Sequence, residues 1–202
     1  PDQAHGLRRL YAKQRARPVV LVHNPQVVYA AVAIEQLVWA LSAQGLHTLV
    51  VDAASSARPA SPAALNHLSS CIEVLRPGVS YLAAQGLPVR FAQAQGQVPA
   101  FIDQLRVAAS VDDVVLIHAD AADLALMFGA QPLRPVVLVD AANDSVCTAY
   151  GSLKSLAQQV PMTTFDCLMV GPASARPPAR IASCLASCGA RFLGASLRHW
   201  TS

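Results

Sequence analysis

Short apolar runs recur along the chain, and longer amphipathic stretches separate them. Runs such as VVLV, TLVV, PVVLV and CLMV are apolar on both faces of a strand, which is typical of parallel strands covered by helices on either side. They predict strands at 19–23, 47–52, 79–83, 87–92, 113–118, 135–140, 164–170 and 191–194. The stretches between them predict helices at 27–44, 61–75, 98–109, 121–129, 144–159 and 176–188. This alternation predicts one α/β domain with a doubly wound, mostly parallel sheet flanked by helices.

Residues 1–17 precede this domain and predict a short helix. Asp2 is a good N-cap, and Leu7, Leu10 and Tyr11 form an apolar stripe at helical spacing. Three apolar residues cannot stabilise a helix of this length in isolation. We therefore expect this arm either to pack on the rest of the chain or to fold on a partner.

The formal net charge of +3 conceals an uneven distribution. Residues 1–17 contain five basic residues and one acidic residue, residues 18–170 contain six and eleven, and residues 171–202 contain four and none. The domain boundary is accordingly placed between a basic arm at 1–17 and an α/β domain at 18–202. A basic arm can bind nucleic acid or anionic lipid. Aromatic side chains are not interleaved with the charges, however, so no nucleic-acid partner is predicted.

The composition, with 53% hydrophobic and 13% charged residues, suits a sheet that is covered on both faces. No apolar run is long enough to cross a membrane, and the polar, basic N-terminus lacks the apolar core of a secretory signal. A cytoplasmic protein is therefore expected.

The five cysteines are predicted to be buried thiols. The alternative is that Cys184 and Cys188, four residues apart on a predicted helix, form half of a metal site.

Polar residues close several of the predicted strands. His23 and His118 end two of them, and Asp52 and Asp140 end two others. Because ligand sites of α/β sheets lie at the carboxyl ends of the strands, these four side chains could form a metal or hydrolytic site. The preferred interpretation is that these residues are the remains of a former ligand pocket and that their polar groups face solvent. No serine lies in a G-x-S-x-G elbow, so acyl transfer is not indicated.

The first strand–turn–helix unit occupies the place where α/β domains often bind a nucleotide phosphate. Its turn, Asn24-Pro25-Gln26, contains neither glycine nor lysine, and no serine or threonine follows on the first turn of the predicted helix. The unit therefore has the layout of a phosphate-binding enzyme without the residues that would hold the phosphate.

Several stretches resemble one family. The run Asp2-Gln3-Ala4-His5-Gly6-Leu7-Arg8, followed by a basic spacer and a βα unit, resembles the N-terminus of the flagellar-number regulators FlhG/FleN, which are MinD/ParA-type ATPases. Residues 113–117 (DVVLI) resemble the Walker B strand of the family, and residues 145–154 resemble the helix after its next strand. The resemblance implies a MinD-like fold for nearly all of residues 18–202.

Aligned backwards from Asp52, the deviant Walker A loop of the family falls on Asn24–Ala31. Its two lysine positions then coincide with Pro25, or a neighbour, and with Ala30, and the position of the Mg²⁺-binding hydroxyl coincides with Ala31. His118 stands in place of the Walker B aspartate. The degenerate nucleotide site would comprise Asn24, Pro25, Gln26, Ala30, Ala31 and His118.

P-loop catalysis depends on positioning the phosphates and stabilising their charge. These departures, together with Gly171 in place of an adenine-binding asparagine, therefore imply a pseudo-ATPase that uses neither cofactor nor metal. Val27, Val28 and Tyr29 are expected to fill the loop and to exclude phosphates sterically.

In the family, the N-terminal helix binds the flagellar SRP-type GTPase FlhF and stimulates GTP hydrolysis. The resemblance thus implies that the arm is the working part of this chain, with Gln3 nearest to the nucleotide of the partner. Asp2 would cap the helix, and Gly6 would allow close approach. The partner-binding residues would be Asp2, Gln3, Ala4, Gly6, Leu7 and Arg8. Such a small helix-in-groove interface predicts weak, transient binding.

Two other functions remain open at this point. One is an enzyme, either a residual nucleotide-binding ATPase or a hydrolase that uses the cluster of His23, His118 and Asp52. The other is a scaffold that competes with an intact paralogue for a transcriptional activator. The membrane-targeting helix of the family would follow the last strand, where this sequence reads LRHWTS, so no stable membrane anchor is expected. Recruitment to the cell pole or membrane would then occur through the partner.

Overall fold

The computed structural model describes residues 16–95, 99–109, 113–171 and 178–198. Its sheet contains the strands β1 (Arg17–Val22), β2 (Thr48–Asp52), β3 (Glu73–Arg76), β4 (Val79–Ala83), β5 (Val114–Ala119), β6 (Pro135–Val139), β7 (Thr164–Met169) and β8 (Ser196–Arg198). Their order across the sheet is β3-β4-β2-β5-β1-β6-β7-β8. β3 pairs with β4 in antiparallel fashion, and every other pairing in the described sheet is parallel.

The helices that flank this sheet in the described residues are α1 (Ala30–Ala43), α2 (Leu87–Gln95), α3 (Pro99–Ala108), α4 (Ala121–Phe128), α5 (Asn143–Gln159) and α6 (Pro178–Cys188). Shorter elements are 3₁₀ turns at Pro62–Leu65 and Leu68–Cys71 and a π-helical turn at Gly189–Leu193. None of the described helices combines the length and the apolar character that crossing a membrane requires.

Alternate residues of β1 face opposite layers of the domain. Val20 and Val22 belong to the larger core, which the buried side chains of α2, α3, α4, α5 and α6 cover. Leu21 belongs to a second cluster on the other face, together with Leu116 of β5 and Val38 of α1. Both faces of the sheet are therefore apolar, as the uninterrupted apolar runs predict. The prediction of a doubly wound α/β domain is confirmed.

The first strand begins at Arg17, two residues before its predicted start, so Arg17 and Pro18 belong to the sheet. The Arg17 N–H donates to the carbonyl oxygen of Asp113 at 2.9 Å, on the β5 side. Because successive residues of a strand direct their N–H groups to opposite sides, the missing N–H of Pro18 falls on the β6 side. β6 pairs with β1 only from Val20 onward, so Pro18 removes no hydrogen bond from that ladder.

The prediction of a strand at 87–92 is wrong, because these residues form the first part of α2. Leu87 and Phe91, four residues apart, are both fully buried, whereas Val89 between them is exposed. Pro88 lies in the first turn of the helix, where proline is well tolerated. The i, i+4 spacing of the two large apolar residues is therefore the helical signal in a run that looks alternating.

The prediction of one helix at 61–75 is also wrong, because two 3₁₀ turns and then β3 occupy this segment. β3 forms a hairpin with β4 through Pro77-Gly78, and Gly78 has a φ of +75°, which glycine adopts without strain. Val74 and Leu75 are both exposed, so β3 lacks the apolar alternation by which a half-buried strand is recognised.

The predicted strand at 191–194 is instead the end of the π-helical turn and the residue after it. Phe192 in that turn is exposed, so its apolar character does not mark a buried strand. The sheet gains its last described strand only at β8, which pairs with β7 in parallel.

Candidate functional site at the carboxyl edge of the sheet

Asn24, which is fully buried, holds the turn after β1 in place through hydrogen bonds to the protein interior. Its side-chain Nδ2 donates to the carbonyl oxygen of Leu138 at 2.9 Å and to the carbonyl oxygen and hydroxyl of Ser145 at 3.0 and 3.2 Å. Asn24 therefore ties the turn to the end of β6 and to the first turn of α5. The predicted first position of a nucleotide loop thus holds a structural anchor, whose amide hydrogens are directed into the protein.

Three backbone N–H groups of residues 24–31 bond within the segment itself. The N–H of Gln26 donates to Asn24 Oδ1 at 3.1 Å, and the N–H of Val27 donates to the Asn24 carbonyl oxygen at 3.0 Å. The N–H of Ala30 donates to the carbonyl oxygen of Val27 at 3.3 Å, and Pro25 has no N–H to offer. A loop that binds phosphate needs such donors free and convergent. Here they close two consecutive turns.

The backbone conformation of residues 24–31 also does not form a phosphate-binding site. A phosphate-binding nest alternates right-handed and left-handed residues, so that successive N–H groups point to one centre. In the described chain, positive φ angles occur only at glycines, and residues 24–31 contain no glycine. The segment therefore has no nest. Ala31, at the predicted hydroxyl position, is exposed on the first turn of α1.

The expectation that Val27, Val28 and Tyr29 fill the loop is correct for the first residue alone. Val27 is buried in a small cluster that includes Leu138 and Val170. Val28 and Tyr29 point into solvent instead. Because the two turns extend to residue 29, α1 begins at Ala30, three residues after its predicted start.

A chain of hydrogen bonds links three strand ends beside this turn. Asp52, at the end of β2, has its Oδ1 at 2.9 Å from Nδ1 of His118 in β5. His118 Nε2 lies 3.1 Å from Nδ1 of His23, the residue after β1. The two imidazole rings meet edge to face, with centroids 5.0 Å apart and an interplanar angle of 75°. Both histidines are buried, whereas Asp52 is partly exposed.

The carboxylate of Asp52 fixes the proton positions along this chain. A carboxylate oxygen accepts, so His118 Nδ1 donates to Asp52; with its one proton on Nδ1, the His118 ring can only accept at Nε2, from His23 Nδ1–H. This leaves Nε2 of His23 as the proton acceptor at the end of the chain. Burial chiefly, and then the neighbouring His118, lower the pKa of His23 below its ordinary value of 6.5, against smaller raising effects of Asp120 and Asp52.

Other polar residues at this edge are engaged elsewhere. The N–H and hydroxyl of Ser55 donate to the carboxylate of Asp120 at 2.7 and 3.3 Å, so this serine is not activated by an imidazole. Asp140 accepts from the N–H of Ala142 at 2.9 Å. Sequence reasoning placed Asp140 beside the histidines, but its hydrogen bonds lie within its own loop. The described residues contain no cluster of three side chains that could hold a metal ion.

The cysteines do not add a site in the described residues. Cys184 and Cys188 lie on α6, and no third ligand accompanies them there. Cys167 is buried, and burial raises the pKa of its thiol to about 11, which keeps it unreactive. Cys147 and Cys184 are exposed, so the prediction of buried thiols is wrong for these two.

Sequence reasoning missed one buried ion pair. Asp166 in β7 is 2% exposed and accepts from Nε and Nη2 of Arg134 at 2.7 and 2.9 Å. The signal for it was present, because a lone carboxylate inside the apolar run TFDCLM requires a cation nearby. The pair supports the sheet and contacts none of the three residues of the histidine chain.

The residues predicted to bind a partner could not be placed. Asp2, Gln3, Ala4, Gly6, Leu7 and Arg8 lie outside the described residues, which begin at 16. The structure therefore leaves the prediction for the arm as it stood.

Solved structures of ParA- and MinD-type proteins share this fold. The ParA family ATPase of Chlorobium tepidum TLS matches with a TM-score of 0.56 and 14% identity, over 94% of this chain and 85% of that one. MinD of Aquifex aeolicus matches with a TM-score of 0.58 and 12% identity, over 84% and 78%. Apo McdA of Cyanthece matches with 0.57 and 11%, over 87% and 82%. No family model matches the sequence, and neither does any curated protein sequence. At these identities the likeness establishes the fold, which is that of the MinD/ParA-type P-loop proteins.

Proposed function

We propose that this chain is a non-catalytic regulator that keeps the MinD/ParA fold as a scaffold and has lost the ATPase site. The observation that carries the proposal is the closed turn between β1 and α1. There the N–H groups of Gln26, Val27 and Ala30 bond within the turn, and Asn24 faces the protein interior.

The chemistry of phosphoryl transfer supports this interpretation. Such enzymes need a backbone cradle, a lysine on the phosphates, a hydroxyl on Mg²⁺ and a carboxylate near the metal. Pro25, Ala30 and Ala31 stand where the resemblance expects the lysines and the hydroxyl. At the carboxylate position, His118 is occupied by its bonds to Asp52 and His23. No single substitution would restore such a site.

The arm supplies the regulatory part of the proposal. Its resemblance to the FlhG N-terminus supports a role for residues 1–17 in binding an SRP-type GTPase of the FlhF kind and stimulating GTP hydrolysis. Gln3 would act nearest to the bound nucleotide of that partner. The chain would then influence flagellar number or placement from the cytoplasm, and it would reach the cell pole or membrane through the partner.

A GTPase assay tests this role. The full chain is added to the FlhF-like GTPase of the same organism, and the rate of GTP hydrolysis is measured against the GTPase alone. We expect stimulation that Gln3→Ala abolishes. Gln14→Ala changes the same residue type in the same arm outside the resembling run, so it should retain stimulation. An unchanged rate, or equal loss in both variants, would refute the proposal.

A further inference from the structure

Helix α1 carries apolar residues on its outer face as well as on its inner face. Val28 and Tyr29, just before the helix, are 84% and 51% exposed, and Val32 and Trp39 are 48% and 63% exposed. We call these four residues the outer strip. Tyr29 and Val32 are three residues apart, and Val32 and Trp39 are seven residues apart. These spacings place the three side chains along one side of the helix.

This face is unusual for a helix in contact with water. A helix on a protein surface ordinarily presents charged and polar residues outward, and a helix that is apolar on all sides is ordinarily covered. Glu35 is the one charged residue among the fourteen of α1. Tyr29 and Val32 also line a groove of about 510 Å³ whose other wall is formed by residues 168–171 at the end of β7. The outer strip therefore has the character of a surface that another element covers.

The size of the strip favours an occupant that is tethered to the chain. An aromatic side chain buries about 150–250 Å² in full, so two half-exposed aromatic residues and two valines offer roughly 400 Å². Separate proteins that form a stable complex each bury about 800 Å². A segment of the same chain needs less area, because its effective concentration is high.

The position of the N-terminus makes residues 1–15 that segment. They join the body at Ala16, directly before β1, and Val19 of β1 lines the same small cavity as Leu37 of α1. β1 therefore begins close to the C-terminal half of α1, although the Ala16 side chain itself packs in the core on the other face of the sheet. A helix over residues 1–15 would be about 22 Å long, and the strip spans roughly 17 Å.

The chemistry of the two surfaces is also complementary. In the arm sequence, Leu7, Leu10 and Tyr11 form an apolar stripe at helical spacing. Such a stripe suits packing against the apolar outer strip. Basic residues fill much of the rest of the arm, and Glu35 is exposed within the face that carries the strip. We propose that residues 1–15 dock in cis on the outer strip, with Leu7, Leu10 and Tyr11 against Val32 and Trp39.

Docking would regulate the arm. Leu7 is needed against the strip and is also part of the run expected to bind the GTPase, so the docked arm could not engage both surfaces. This regulatory consequence rests on the proposed function, whereas the docking itself does not.

Fluorescence of Trp39 tests the docking in the full chain. Trp200→Phe leaves Trp39 as the only tryptophan. We expect Leu7→Gln/Leu10→Gln in this background to shift the emission to longer wavelength and to increase quenching by acrylamide. His5→Gln, which alters the opposite side of the predicted arm helix without removing an arginine or lysine, should leave both unchanged. Equal quenching of Trp39 in all three proteins would overturn the proposal.

Limited digestion with trypsin gives an independent readout from the strip. Val32→Gln/Trp39→Gln should accelerate cleavage of the arm after Arg8, Arg9 and Lys13, because proteolysis follows the undocked population. Val74→Gln changes another exposed apolar residue, on β3, and should not alter the rate. Protection that depends on protein concentration would identify a second copy as the occupant and would also overturn the proposal.

These readouts separate the two proposals. If Trp39 is protected by the arm but the GTPase is not stimulated even by the Val32→Gln/Trp39→Gln variant, whose arm is released, docking stands and the proposed function fails. If Gln3-dependent stimulation is observed but Trp39 is indifferent to the arm variants, the proposed function stands and docking fails.

Discussion

His23 Nδ1 and His118 Nε2 lie 3.1 Å apart, although 95 residues separate them in the sequence. The contact joins the ends of β1 and β5, and Asp52 extends it to β2. One proton lies between the two imidazoles, so the bond exists only while one of them is neutral. If both rings were protonated, neither nitrogen could accept, and two positive charges would stand at hydrogen-bond distance.

The first prediction concerns the pH dependence of stability. Because the pKa of His23 is lowered in the folded chain, the unfolded chain binds more protons below pH 6.5. The contribution of His23 is therefore complete above pH 6.5 and is lost as the pH falls toward the folded pKa. Urea unfolding from about pH 8 to about pH 5 should reveal this decline. His23→Gln should make the decline shallower, and substitution of the exposed His67 by Gln should not.

The second prediction concerns the anchor of the turn. Asn24→Ala leaves the buried carbonyl oxygens of Leu138 and Ser145 without their donor, which we expect to cost about 2–3 kcal/mol in free energy of unfolding. Asn24→Asp should cost more, because it directs carboxylate oxygens at those carbonyl oxygens. Gln26→Ala alters an exposed side chain of the same turn and should stay within about 0.5 kcal/mol. Similar urea midpoints for Asn24→Ala and Gln26→Ala would argue against the anchor.

The third prediction compares two ion pairs. Arg134→Ala leaves the buried carboxylate of Asp166 unpaired and should lower the free energy of unfolding by about 2–4 kcal/mol. This cost is smaller than that of breaking a fully buried pair, because Arg134 is half exposed. Arg58→Ala breaks the exposed pair with Glu73, which solvent screens, and should lower the free energy of unfolding much less. Chemical denaturation of the two variants measures the difference, and equal costs would contradict it.

The fourth prediction compares two glycines. A Cβ on Gly189 would lie 2.7 Å from Cε1 of buried Phe165 and 3.1 Å from the carbonyl oxygen of Ala195, so Gly189→Ala should destabilise by about 1–3 kcal/mol. A Cβ on Gly151 meets nothing within 4 Å, and this residue lies in the interior of α5. Gly151→Ala should therefore raise stability by about 0.5–1 kcal/mol. Thermal unfolding of both variants tests the opposite signs.

The sequence predicted those parts of the fold in which burial alone decides structure. β1, β2, β5, β6 and β7 are apolar on both faces, and a doubly wound sheet requires that pattern. The errors fall where burial gives no signal or an ambiguous one. β3 is an edge strand with exposed Val74 and Leu75, and it is defined by its pairing with β4 after the Pro77-Gly78 turn.

At the site, sequence reasoning identified the strand ends but not their bonds. The proximity of His23, His118 and Asp52 followed from the rule that carboxyl ends of parallel strands share one edge. Asp140 obeys the same rule, yet its carboxylate bonds to its own loop. The role of Asn24 was not predictable from the turn itself, because its partners, Leu138 and Ser145, lie more than 100 residues away.

The claim that the nucleotide loop is closed is tested most directly by thermal unfolding of the full chain with and without millimolar ATP–Mg²⁺. An intact MinD-type ATPase serves as the positive control. A ligand present at 100 times its Kd stabilises by about 2.7 kcal/mol, which would raise the Tm of a chain of this size by roughly 5–10 °C. We predict an unchanged Tm for this chain alongside a clear rise for the control. A saturable rise in the Tm of this chain would contradict the account.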